Sequence, residues 1–131
     1  MCASTEMAID KEDLASLEKR LSSVPSQARK LFTHIAELAY HGRGEDRQAH
    51  TTYLPELHES CGLDVEAMYE TLDVLKHAGL IVVEKPYPFE DVVIAKELSG
   101  RNVVESVARI CEQKRVPLRD VLVDLKFELL K

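Results

Sequence analysis

Within residues 10–24 the apolar side chains of Leu14, Leu17 and Leu21 fall three and four apart. The segment predicts an amphipathic helix, with Asp10 placed to cap it and Asp13 in its first turn. Pro25 and Ser26 stop that helix and start another, whose apolar positions Ala28, Leu31, Phe32, Ile35, Leu38 and Ala39 follow a core-facing spacing up to Gly42. Residues 41–50 (HGRGEDRQAH) are polar with two glycines and predict an exposed loop. A third helix is expected from Thr51 or Thr52, burying Leu54, Leu57 and Cys61 and ending at Gly62, which tolerates the left-handed backbone of a helix end. Asp64 follows at once as an N-cap, with Leu63 and Met68 at the spacing of a hydrophobic staple. A stop and a start this close force a tight turn between two helices. The fourth helix buries Met68, Leu72 and Leu75 and ends at Gly79. Residues 80–83 and 92–95 are then apolar and rich in β-branched side chains, with Pro86-Tyr87-Pro88 between them, which predicts a hairpin with a longer loop.

Beyond residue 100, Val103, Val104, Val107, Ile110 and Cys111 mark another helix, and Pro117 opens the segment after it. That last segment reads two ways. Val121, Val123, Leu125, Phe127 and Leu129 alternate as a strand would, while Leu118, Val121, Leu122, Leu125 and Leu129 fit one face of a helix, which the Leu-Arg-Asp turn after Pro117 favours. As a helix it is apolar on both sides, one for the core and the other either for a partner copy or for the same core.

The stretch LPELHESCGLDVEAMYETLDVLKHAGLIVVEK resembles the helix-turn-helix and first wing strand of bacterial winged-helix regulators of the MarR and PadR type. The resemblance spans residues 51–98 and the helix before them. Leu57, Gly62, Leu63, Met68, Tyr69, Thr71, Leu72, Leu75 and the Ala78-Gly79-Leu80-Ile81 step carry it. It implies a mostly α fold with a small β-hairpin wing, in which a winged helix-turn-helix core at 26–98 is extended by a helix at 10–24 and helices at 101–130, all one domain over 1–131. It also implies a DNA-associated transcription regulator, dimeric through its flanking helices, whose fourth helix enters the major groove. One fold hosts several activities, so the surface has to choose among them.

Charge changes that picture. The chain carries 17 basic and 23 acidic residues, a net of −6. Residues 51–98 hold Lys76, Lys85 and Lys96 against ten acids, a net of −7, so the acidity belongs to the central module. Affinity for a duplex comes largely from neutralised phosphates. The residues available for that are Arg43 and Arg47 in the loop, Thr51, Thr52 and Tyr53 at the start of the third helix, Thr71 and Lys76 on the fourth, and Lys85 in the wing, with Arg29 and Lys30 opening the second helix. Opposing them are Glu66, Glu70 and Asp73 on the face that would meet DNA. Asp64 and Glu66 are partly explained by capping and by the helix dipole; Glu70 and Asp73 are not. The alternative is an acidic recognition face for a basic protein partner.

Other chemistry is not indicated. His58 and Cys61 offer two ligands on one helix where a zinc site needs three or four, so no metal is expected. No phosphate-cradling glycine loop, H-E-x-x-H or G-x-S-x-G motif occurs, and a non-enzymatic protein without cofactor is expected. Three cysteines, Cys2, Cys61 and Cys111, without C-x-x-C spacing fit a reducing compartment, and no secretory signal or membrane-length apolar run is present, so the expected location is the cytoplasm.

Overall fold

The two proline-marked breaks and the two glycine stops organise the chain as the periodicity predicts. The computed structural model describes residues 10–40, 51–84, 91–95, 98 and 103–131, and of Thr51 the backbone alone. Helix α1 (Lys11–Ser22) begins where Asp10 Oδ1 accepts from the Glu12 amide at 2.9 Å, and α2 (Ser26–Tyr40) follows Pro25, whose carbonyl accepts from the Ala28 and Arg29 amides. Strand β1 (Thr51–Tyr53) leads into α3 (Leu54–Cys61), and α4 (Val65–His77) into β2 (Ile81–Glu84) and β3 (Asp91–Ile94). Helices α5 (Val103–Lys114) and α6 (Leu118–Leu122) and a 3-10 helix at Phe127–Leu130 complete the chain.

Helix α2 is the axis of the packing. Its buried residues Ala28, Leu31, Phe32, Ile35 and Ala36 meet α3, α4, α5 and α6 together with β1, while Leu17 and Leu21 of α1 join the same core. The fold is thus mostly helical with one small antiparallel sheet, ordered β1-β3-β2. Ile81, Val83, Val92, Ile94 and Thr52 share its core face by register, and Val82, Val93 and Tyr53 the outer one. No helix among the described residues is long and apolar enough to cross a membrane.

Two ends of helices set the turn and the hairpin. Gly62 lies at φ +76 and Asp64 Oδ1 accepts from the Ala67 amide at 2.8 Å, so α3 stops and α4 starts within three residues. Gly79 lies at φ +77, with its amide on the Lys76 carbonyl and the Leu80 amide on the Leu75 carbonyl, the paired bonds of a Schellman motif. Arg20 Nη1 donates to the Gly79 carbonyl at 2.6 Å and ties α1 to that corner.

Two expectations are corrected. Thr51 and Thr52 do not open the third helix: they pair with Val93 and Val92 as a strand, and helix begins at Leu54, where Pro55 suits the first turn. Residues 117–130 are neither one helix nor a strand. Helix α6 lasts five residues, Leu125 reverses the chain at φ +60, and Phe127–Leu130 returns as 3-10 helix. Val103, Val104, Val107, Cys111, Leu118, Val121, Leu122 and Phe127 are buried within the chain's own core, while Leu125, Leu129 and Leu130 are half-buried.

Candidate interaction surface on the fourth helix

With Met68, Thr71, Leu72 and Leu75 turned into the core, the helical period leaves Glu66, Glu70, Asp73 and His77 as a stripe along the exposed side of α4. Val74 borders it on the side of the α1–α2 turn, and Val65 and Tyr69 on the other. These three are exposed by 39%, 51% and 45%, large apolar side chains left facing solvent. The carboxylates at 66 and 70 stand one turn apart, where like charges repel by a few tenths of a kcal/mol. Lys76 Nζ lies 3.7 Å from Asp73 Oδ1, an exposed pair that contributes little stability but turns the one lysine of this helix toward a carboxylate. His77 donates Nδ1–H to the Asp73 carbonyl at 2.8 Å, which leaves Nε2 as its outward atom.

The residues expected to hold phosphates fare differently from one another. Arg43, Arg47 and Lys85 lie outside the described residues, as does the side chain of Thr51. Thr52 is fully buried, its hydroxyl donating to the Ile35 carbonyl at 3.0 Å. Thr71 is buried too, donating to the Ala67 carbonyl at 2.8 Å, so neither hydroxyl faces a ligand; each satisfies itself on backbone, the condition for burying it at all. Arg29 is likewise structural: Nε donates to the Val123 carbonyl and Nη1 to the Val24 carbonyl, both at 2.7 Å. Lys30 and Lys76 stay exposed, and Tyr53 is exposed at the entrance to α3.

The remaining polar chemistry is dispersed. Among the described residues no three His, Cys, Asp or Glu side chains gather as a metal site would require. Cys61 is half-buried with its thiol donating to the His58 carbonyl at 3.8 Å, and Cys111 is buried, its thiol pushed up by that burial and by the Asp120 carboxylate. At the end of α2 the Tyr40 phenol is also held above its ordinary value, by burial and then by Glu105 of α5.

Sequence reasoning located the acids of this surface and missed its apolar residues, Val65, Tyr69 and Val74. The signal was available for two of them: Tyr69 and Val74 fall off the Met68–Leu72–Leu75 stripe, so a helix that buries that stripe exposes them, whereas Val65 stands on its line, three residues before Met68, and is exposed at the first residue of the helix. Comparison of the chain with protein-family models, with curated proteins and with solved structures returns no match.

Proposed function

We propose that this chain is a winged helix-turn-helix module with no chemistry of its own, and that it works by binding a basic protein partner through the exposed face of α4. The order α2, β1, α3, tight turn, α4 and hairpin agrees with the winged-helix resemblance, with β1 added to the hairpin as a third strand. One observation carries the choice of partner. The side of α4 that a DNA-binding relative would lay in the groove bears Glu66, Glu70 and Asp73, flanked by exposed Tyr69 and Val74, and the only lysine of α4 sits beside Asp73. Phosphates are repelled by such a face, while a basic protein surface with apolar side chains is matched by it.

Titration of the full chain with a labelled random-sequence duplex at low ionic strength tests this reading. No complex is expected from the native chain, and a complex is expected to emerge when Glu66, Glu70 and Asp73 are all changed to Lys. A native complex whose affinity falls steeply with salt overturns the proposal in favour of a DNA-associated regulator.

A further inference from the structure

Between α4 and the turn joining α1 to α2 lie two open depressions of about 620 and 280 Å³. They meet at Glu70 and Val74, which line both, and so form one groove alongside α4. Val24, Val74 and Ala78 give it an apolar floor at one end and Ala28 at the other, with Glu70 and Asp73 on its rim. Resting on the protein-recognition reading above, we propose that this groove holds a cationic amphipathic helix of the partner. An apolar side chain of that helix packs on Val24 and Val74, and its lysines or arginines reach Glu70 and Asp73.

Three features select this occupant. The rim acids ask for positive charge, and the half-exposed Val74 between them asks for an apolar anchor, which together describe an amphipathic segment. Neither wall, α4 on one side and the α1–α2 turn on the other, is a strand edge, so an extended peptide would find no ladder here and leave its own amides unpaired; a helix brings its own bonds. From Ala67 to Ala78 the groove runs about 16 Å, about three turns of such a helix. A second copy of this chain is a poor fit. Among the described residues the large apolar side chains left exposed are Tyr53, Val65, Tyr69, Val74 and Val82, all within the acidic module, so docking them here would set carboxylates against carboxylates.

The test uses the full ¹⁵N-labelled chain and a synthetic lysine–leucine amphipathic helix as probe, followed by amide shifts and by fluorescence anisotropy. Shifts are expected at Val24, Glu70, Val74 and Ala78, with affinity falling as salt rises. Glu70→Gln is expected to weaken binding about two- to fivefold, Val74→Ala about fivefold or more, and Glu112→Gln, on the exposed side of α5, not at all. Shifts confined to another face, or affinities unchanged by Glu70→Gln and Val74→Ala, overturn the groove assignment and leave the protein-recognition reading standing. Groove shifts that instead follow the concentration of the unliganded chain place a second copy there and overturn it as well. A probe that does not bind while a random duplex does overturns both.

Discussion

Arg29, in the first turn of α2, donates Nε–H to the carbonyl of Val123, 94 residues later in the chain, at 2.7 Å. Its Nη1 donates to the Val24 carbonyl at 2.7 Å and reaches the Leu21 carbonyl at 3.3 Å. One guanidinium therefore caps the open carbonyls at the ends of both α1 and α6, where a positive charge also suits the helix dipole. The C-terminal segment is held as part of the module by this contact and by the burial of Phe127. Arg29→Met is expected to lower stability by about 2 kcal/mol in urea unfolding, since charged hydrogen bonds to backbone are lost and the Val24 and Val123 carbonyls are left short of a partner. Lys donates from a single nitrogen, where Arg29 reaches Val123 and Val24 from two separate ones, so Arg29→Lys should recover less than half. An unchanged midpoint for Arg29→Met would mean that the cap is ornamental.

The two left-handed glycines differ in their surroundings. A Cβ at Gly62 meets nothing within 4 Å, whereas one at Gly79 comes within 2.8 Å of Arg20 Nη1. Gly62→Ala should therefore cost about 1 kcal/mol, the backbone term alone. Gly79→Ala should cost that and part of the Arg20 contact, and the excess should vanish in an Arg20→Ala background. Equal effects in both backgrounds would separate Arg20 from the hairpin corner.

Alkaline pH should unfold this protein through two protonated groups. The fold holds the Tyr40 phenol and the Cys111 thiol above their ordinary values, so the unfolded chain releases these protons first. Stability from these groups is then fully present below about pH 8.5 and declines as pH rises through the unfolded values, about 8.5 for the thiol and about 10 for the phenol. Tyr40→Phe should leave neutral stability within about 1 kcal/mol, the worth of one hydrogen bond, and flatten the fall above pH 10. A slope identical to that of the native chain would remove Tyr40 from the explanation.

Glu70 is expected to be a residue the fold does without. Glu70→Lys replaces a repulsive i, i+4 pair with Glu66 by an attractive one and adds a partner for Asp73, so stability should rise by about 0.5 kcal/mol. Circular-dichroism melts with the native chain as reference decide this. A loss of more than about 1 kcal/mol, beyond what a solvated surface site gives, would make Glu70 structural.

Much of this was legible in the chain. Leu14, Leu17 and Leu21, the apolar run of α2 and the Met68–Leu72–Leu75 stripe were set by helical period, and Asp10, Gly62, Asp64 and Gly79 marked the ends by local chemistry. Strand β1 was not, because three residues are too few for a period and their strand state depends on β3, forty residues further on. The C-terminal reversal was hidden for another reason: Arg115 and Leu125 take left-handed backbone without being glycine, so nothing in their identity marks the turns. Of the surface, the acids of α4 were visible, while Thr52 and Thr71 were misplaced because a hydroxyl satisfied by backbone can be buried like an alanine. The groove itself needs Val24, supplied by packing of α1 and α2 against α4, which no local pattern encodes.

The most direct measurement sets two labelled ligands against the same native chain at the same low ionic strength: a lysine–leucine amphipathic helix and a random-sequence duplex, both read by fluorescence anisotropy. Recognition of a basic protein through α4 predicts saturable binding of the peptide, weakened by Glu70→Gln and by salt, with no response from the duplex. Saturable, salt-steep binding of the duplex with an inert peptide would contradict it.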